Sequence, residues 1–242
     1  MAEAYIGTSG WNYDGWKDDF FEGVPRKEWL EYCAERFTSL EVNGSFYRLQ
    51  SEKTLKDWIA RTPSDFTFAA KGHRFVTHSK MLKDSDEHVV TSRDNMRPLE
   101  SKLAVVVWQL PARFGKNLER LEEFAGSLTR RWRAVRHAIE FRDASWFEDD
   151  VASIMEEHKL AVCQSDAADW PLWDAVTTDL VYVRLHGHTR TYASSYSDSL
   201  LDDWAEKVRK WTGEGRDVHV YFDNDAEGAA PHDAMKLLDK VR

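Results

Sequence analysis

The chain has 242 residues, a formal net charge of −9 at pH 7 and 42% hydrophobic residues. That length suits one large α/β domain with a full core, and the acidic balance disfavours a protein that coats nucleic acid non-specifically. The chain shows neither a basic and apolar leader nor a run of roughly 20 apolar residues, so we expect a soluble, cytoplasmic protein with no membrane partner.

Strand-like and helix-like segments alternate along the chain. Eight segments have the β-branched, aromatic and small apolar content of buried strands, and they span 5–9, 38–47, 65–78, 103–111, 136–146, 160–167, 180–187 and 217–225. Helical spacing separates most of them, with starts, breaks and ends indicated by Pro25, Ser51, Pro98, Asn117 and Gly213. Segment 168–179 is short and contains Pro171, so this repeat is expected to lack a full helix.

Segment 136–146, RHAIEFRDASW, carries two opposite charges inside an apolar strand. Ala138, Glu140 and Arg142 share one face, because side chains alternate along a strand. The opposite face would pack on helices, so Glu140 and Arg142 would point into whatever the sheet encloses. A buried, unpaired charge is costly, so these two side chains must be paired, hydrated or used in function.

Polar residues also arrive late in the other strands. A closed parallel barrel predicts this asymmetry, because its functional face lies at the C-terminal ends of the strands. We therefore predict one TIM-type (βα)8 barrel, with a degenerate helix after the sixth strand. The side chains projected into its C-terminal mouth are Glu41, Asn43, Lys71, Gln109, Glu140, Arg142, Asp166, Arg184, His186, Asp223, Asn224 and Asp225. The aromatic residues expected to surround them are Trp11, Phe46, Tyr47, Trp146, Tyr192 and Tyr196.

Motifs at these strand ends resemble those of the YecE-like proteins, also called domain of unknown function 72. They occur in the family's order as GTSGW at 7–11, EVNGSFY at 41–47, KGHRFVTH at 71–78, QLPARF at 109–114, EFRDASW at 140–146, YVRLHG at 182–187 and YFDND at 221–225. The resemblance covers nearly the whole chain and implies a TIM-type barrel, broadly like those of metal-dependent apurinic endonucleases and xylose isomerases. It implies no particular reaction.

Two positions depart from the family pattern. Gly44 stands where members usually have another small residue, and Asp223 stands where asparagine is common. The first change is expected to matter little. The second adds a negative charge to the mouth of the barrel.

The first functional hypothesis is a metal-independent hydrolase, lyase or isomerase acting on a small ligand that bears a phosphate or carboxylate. Glu140 or Glu41 would be its general acid or base, and Asp166 and His186 are further catalytic candidates. Arginine offers a planar fork to such an anion and lysine a point charge. The candidate ligand-binding residues are Lys71, Arg142, Arg184, Asn43, Gln109, Asn224, Asp225, Trp11, Tyr47, Trp146 and Tyr192.

Other functions fit the same residues. A binding protein could stack a nucleotide or a nucleic-acid end on aromatic rings, and a glycosidase could use Glu41 and Glu140 as its carboxylate pair. A salt-bridged barrel interior without any reaction is a third reading. A metal-dependent, endonuclease-like phosphodiesterase is a fourth, and it is disfavoured because Lys71, Arg142 and Arg184 would repel a dication.

We therefore expect no bound metal, and no nicotinamide or flavin because a glycine fingerprint is missing. The two cysteines, Cys33 and Cys163, are too few for a disulfide framework or a zinc cluster. They are expected to be buried, reduced thiols.

Overall fold

Eight parallel strands form the centre of the fold. The computed structural model describes residues 2–99 and 101–242. Its strands are β1 Ala4–Thr8, β2 Ser39–Val42, β3 Thr67–Lys71, β4 Leu103–Gln109, β5 Arg136–Glu140, β6 Ala161–Asp166, β7 Leu180–Leu185 and β8 Asp217–Phe222. Its helices are α1 Trp29–Ala34, α2 Gly44–Tyr47, α3 Glu52–Ala60, α4 Ser85–Met96, α5 Leu118–Arg131, α6 Asp149–Glu157, α7 Asp198–Gly213 and α8 Ala229–Val241.

The strands wrap into a nearly closed barrel. Neighbouring strands are parallel in the order β1, β8, β7, β6, β5, β4, β3, β2. Strands β1 and β2 complete the circle through a single bridge between Ser9 and Glu41. A Cβ atom on Gly7 would lie 1.9 Å from the carbonyl oxygen of Ser39, so only glycine allows this close approach. The predicted (βα)8 TIM-type barrel is confirmed.

Two layers of apolar side chains fill the fold. A small cluster inside the barrel includes Ala69, Val107, Cys163, Tyr182 and Tyr221. A much larger cluster lies between the outside of the barrel and the helices. This alternation of inner and outer residues is the period of two expected for barrel strands, and it fixes which polar side chains can reach the interior near the strand ends.

The predicted irregular repeat is also confirmed. The chain between β6 and β7, all of which the structure describes, forms no helix. The predicted caps are present, because Ser51 accepts a hydrogen bond from the Thr54 amide and Asn117 from the Arg120 amide. The break at Pro98 is present as well, since α4 ends at Met96 and a 3-10 turn follows.

The start of α1 differs from prediction. Pro25 has an extended backbone with ψ of 138° and precedes a 3-10 turn, Arg26–Glu28, so the α-helix begins one turn later. Both cysteines are free and buried, as expected. No helix in residues 2–99 and 101–242 has the length and apolarity required to span a membrane.

Candidate functional site

Arg184 is the centre of a buried ion network at the C-terminal end of the barrel. Strand β7 directs it inward, and its side chain is 0% exposed. Its Nη1 donates to Glu140 Oε2 at 2.8 Å, and its Nη2 donates to Glu41 Oε1 at 2.8 Å and to Asp223 Oδ2 at 2.9 Å. The Nε atom also donates to Glu41, at 3.1 Å. Every nitrogen of the guanidinium is therefore engaged by the protein itself.

The three carboxylates hold their positions through further donors. Glu41 accepts from Ser9 Oγ at 2.5 Å and from the Tyr182 hydroxyl at 2.6 Å. Burial alone would raise the pKa of Glu140, but the charges of Arg142 and Arg184 hold that pKa well below its usual range. A carboxyl with so low a pKa is a poor general acid at neutral pH.

His186 lies between two of these carboxylates. Its Nε2 is 3.2 Å from Arg184 Nη1 and 3.5 Å from Glu140 Oε1. Its Nδ1 is 3.0 Å from Asp223 Oδ2, although the angle at Nδ1 is unfavourable for a hydrogen bond. His186 therefore belongs to the buried network.

Four cations converge on the β3 to β5 side of the mouth. They are Arg74, Lys71, Arg142 and Arg113, and we call these four residues the cationic side. Burial is the largest cause that lowers the pKa of His78, to about 4, and the charges of the four residues lower it further. Within residues 2–99 and 101–242, the side chains of Lys71, Arg74 and Arg113 make no hydrogen bond or ion pair.

Lys71 is the most deeply placed residue of the cationic side. Its side chain points inward from the end of β3, the residue is 5% exposed, and its Nζ lies 4.4 Å from the centre of the Phe46 ring. Burial, followed by repulsion from Arg184, lowers the pKa of Lys71 to about 8. A substantial fraction of this amine is therefore neutral near physiological pH.

Arg142 connects the cationic side with the ion network. Its Nε donates to Glu140 Oε1 at 2.7 Å, and its Nη1 donates to the Tyr192 hydroxyl at 3.0 Å. The guanidinium carbon lies 4.2 Å from the centre of the Trp170 ring. Its Nη2 is buried and has no partner among the described residues. Two loops thus hold Arg142 in place, while its Nη2 makes no hydrogen bond to a described residue.

An aromatic groove of about 500 Å³ lies beside the mouth. Trp11, Asn43 and Tyr47 line it, and Trp11 meets Trp58 edge to face at 5.1 Å. Tyr47 is 63% exposed. The Oδ1 atom of Asn43 is buried without a partner among residues 2–99 and 101–242. Trp11, Asn43 and Tyr47 therefore face one shared space.

A second cavity, of about 580 Å³, lies at the other end of the barrel. Arg133, Arg136, Glu157 and Asp179 are among its lining residues. Arg136 is already paired with Asp179 at 2.7 Å. The active sites of TIM-barrel enzymes lie at the C-terminal ends of the strands. We therefore place the candidate site at the mouth and not in this cavity.

The inward residue of β6 differs from prediction. Ser165 faces the interior and lies 3.4 Å from Glu140 Oε1. Asp166 points to the opposite side, where it accepts from the Tyr196 hydroxyl at 2.7 Å and lies 3.0 Å from His188 Nδ1. Its polar residues Gln164, Ser165 and Asp166 are consecutive, so the sequence gives no clear alternation from which to read the parity. Asp166 is therefore not brought together with Glu140 and Glu41.

Two further candidates lie away from the centre of the mouth, whereas a third, Gln109, faces into the barrel next to Glu140 in the sheet. Trp146 is buried outside the barrel, where its Nε1 donates to the Phe114 carbonyl at 2.6 Å. Asn224 is buried under the loop after β7 and donates to Asp233 at 2.9 Å. Gln109 is inward and buried, and its amide nitrogen donates to the next carbonyl.

Asp225 stays near the mouth. Burial and the neighbouring charge of Asp223 raise its pKa to about 6. The carboxyl group is therefore partly protonated in mildly acidic solution. Tyr13, one of the residues that line the aromatic groove, lowers the pKa of this carboxyl by less than burial and Asp223 raise it.

Sequence reasoning did not select four residues of the mouth, namely Arg74, His78, Arg113 and Trp170. Arg74 and His78 lie in the motif KGHRFVTH and Arg113 in QLPARF. Both motifs follow inward strand ends, and that position is the signal by which the three residues could have been found. Trp170 lies in the irregular segment after β6, and no periodicity there indicates that its ring covers Arg142. Among the described residues, no group of three or more His, Cys, Asp or Glu side chains has the arrangement of a metal site.

The fold and this mouth define a TIM-barrel protein with a buried ion network and an unneutralised cationic side. A family model described as "Protein of unknown function DUF72" matches residues 5–242, and the chain belongs to this family.

Relatives agree with this assignment. UPF0759 protein YunF of Bacillus subtilis is 24% identical over 97% of this chain and 93% of its own length. UPF0759 protein YecE of Escherichia coli K12 is 28% identical over 59% of this chain and 50% of its own. The crystal structure of a DUF72 family protein from Thermotoga maritima superposes with a TM-score of 0.87 at 25% identity, covering 98% of each chain.

Proposed function

We propose that the mouth of the barrel binds a small ligand carrying a phosphate or carboxylate group. The observation that carries this proposal is the cationic side, where four positive side chains surround His78 and three of them make no hydrogen bond or ion pair in the described chain. Like charges repel, so grouping four cations costs free energy unless an anion joins them. The nearby carboxylates supply only part of that anion, because Glu41, Glu140 and Asp223 are all paired with Arg184. Of the four cations, only Arg142 is paired with one of them, Glu140.

The buried network has a positioning role in this proposal. Glu140 holds the Nε edge of Arg142, and this bond leaves Nη2 directed to the ligand. A phosphate or carboxylate oxygen suits this nitrogen, because a hydrogen bond between an arginine and an anionic oxygen is stronger than a neutral one. If the site is catalytic, the groups with suitable pKa values for proton transfer are Lys71 and Asp225, at about 8 and about 6. Glu140 would serve as a fixed charge.

Titration calorimetry with inorganic phosphate and with pyrophosphate tests the proposal. Arg74 and Arg113 are exposed and unpaired, so Arg74→Met and Arg113→Met should leave the fold intact. We expect each to weaken binding by roughly tenfold, the loss of one charged hydrogen bond. Binding should also weaken as salt is raised.

Arg133→Met is the matched control, because it removes the same charge at the opposite end of the barrel. It should bind phosphate like the unmodified protein. If Arg133→Met weakened binding while Arg74→Met and Arg113→Met did not, the anion would bind at the opposite end and the proposal would be wrong. Tight binding of an oligonucleotide without any affinity for phosphate would favour the nucleic-acid alternative instead.

A further inference from the structure

The fold contains two buried lysines in very different surroundings. Lys102, 6% exposed, donates to the carbonyl oxygens of Ile59, Thr62 and Pro63 at 2.6 to 3.1 Å. Those hydrogen bonds satisfy the ammonium group, so the role of Lys102 is structural. Lys71 is equally buried, but its Nζ makes no hydrogen bond to any described residue and faces the Phe46 ring. A buried ammonium without acceptors is costly, and a neutral amine in the same place is much less so.

The charge of Arg184 favours the neutral amine as well. Arg184 repels an ammonium there, while Asp223, Glu140 and Glu41 attract it from the ion network. Arg184 outweighs any single one of these carboxylates, because its effect on Lys71 is the largest after burial. On the outer side, Phe46 and His78 are uncharged near neutral pH. Lysines that are desolvated next to another cation are the ones that act as nucleophiles toward carbonyl groups.

We propose that Lys71 forms an imine with an aldehyde or ketone whose anionic group is held by Arg74, Arg113 and Arg142. This inference rests on the proposed function, since the arginines of the cationic side supply the anion site. The amine nitrogen forms a bond to the carbonyl carbon, and the carbonyl oxygen takes two protons and leaves as water. The products are the imine and one water molecule, and nothing is oxidised or reduced.

The uncharged His78 imidazole is a neighbour of Lys71 and takes no part in the bond change. Its ring meets Phe46 edge to face at 5.1 Å, on the ring over which Lys71 lies. A pKa of about 4 makes this imidazole a poor proton carrier at neutral pH. The two protons that the amine loses therefore balance the two that the departing oxygen gains through exchange with solvent, and the bond itself forms at Lys71 Nζ.

The experiment uses the full-length protein with glycolaldehyde phosphate and sodium cyanoborohydride, which reduces an imine to a stable amine. Peptide mass spectrometry then locates the adduct. At pH 7 a lysine with a pKa of about 8 has roughly a 200-fold larger neutral fraction than an ordinary lysine with a pKa of about 10.4. We expect labelling at Lys71 first, slower labelling by glycolaldehyde without phosphate, and a rate that rises with pH to a plateau above about 8.

Two comparisons within the same experiment make the result decisive. Lys71→Arg keeps the positive charge but has no nucleophilic amine, so the early adduct should disappear. Lys102 is an internal control, because it is equally buried and should stay unlabelled. Labelling confined to exposed lysines such as Lys116, with Lys71 unmodified, would overturn the inference.

Phosphate calorimetry on the same protein separates this inference from the proposed function. If phosphate binds and Lys71 is not labelled, the imine step is wrong and the anion site stands. If neither phosphate binding nor a preference for the phosphorylated aldehyde is seen, both are wrong, because the arginines would then not hold an anion.

Discussion

Replacing Arg184 by methionine should be strongly destabilising. The side chain is fully buried, and its removal leaves Glu41 and Glu140, each 0% exposed, and Asp223, 7% exposed, without the cation they share. Removing one partner of a buried ion pair costs about 3 to 5 kcal/mol in the free energy of unfolding. For a chain of this size each kcal/mol lowers the melting temperature by about 2 to 4 °C, so a loss of roughly 6 to 20 °C is expected.

Urea denaturation followed by tryptophan fluorescence measures this loss. Arg26→Met is the control, because Arg26 and Asp14 form an ion pair whose side chains are 56% and 79% exposed. Such surface pairs contribute about 0 to 1 kcal/mol. A combined Arg184→Met and Glu41→Gln variant should be more stable than Arg184→Met alone, since one of the unpaired carboxylates has been neutralised.

The pH dependence of the same loss follows from the carboxylate pKa values. The pKa of Glu140 is held below its usual range, so its contribution to stability is present above the ordinary pKa of about 4.3 and is lost as pH falls. The difference in unfolding free energy between the unmodified protein and Arg184→Met should therefore be largest at neutral pH and should become smaller in acid. If Arg184→Met cost no more than Arg26→Met at pH 7, the ion network would not be what stabilises the mouth.

Two further predictions concern single titrating groups. The raised pKa of Asp225, about 6, means that ionising this carboxyl opposes folding as pH rises through that value. Asp225→Asn should therefore add about 1 to 2 kcal/mol of stability at pH 7.5, after allowing for partial exposure, and almost none at pH 4 by urea denaturation. His137 is buried between the Trp132 carbonyl and the Trp108 indole, and burial lowers its pKa to about 4. The protein should thus lose up to about 1.4 kcal/mol per pH unit from this residue between pH 6.5 and 4. His137→Asn should have a correspondingly shallower slope, and equal slopes would contradict the assignment.

The barrel itself could be predicted from the sequence because closed parallel sheets leave a strong pattern. Strands with a clear alternation, such as β5 with Glu140 and β7 with Arg184, have the inward residues that the pattern predicts. Strand β6, AVCQSD, has no such alternation, because its polar residues Gln164, Ser165 and Asp166 are consecutive. The prediction placed Asp166 inside, whereas Ser165 is the residue that faces Glu140.

The pairing of charges at the mouth could not be predicted, because it depends on distances between strands that are far apart in the chain. Arg184 has the type and parity of a ligand-binding residue, yet it is satisfied by three carboxylates of the protein. Arg113 and Trp170 lie in loops, where side-chain direction follows no period. Trp146 lies in the motif EFRDASW at the end of β5, but it packs outside the barrel, where its indole nitrogen donates to the Phe114 carbonyl.

The charges at the mouth also explain why its two halves differ. Three carboxylates meet three buried or nearly buried cations, Arg184, Arg142 and Lys71, so the inner cluster is close to neutral. Arg184 engages all three carboxylates, and among the described residues Lys71 Nζ has no acceptor and Arg142 Nη2 has no partner. The exposed Arg74 and Arg113 add further positive charge on that side. An acidic chain thus carries a local group of positive charges at the mouth of the barrel, and the phosphate titration tests whether those charges bind an anion.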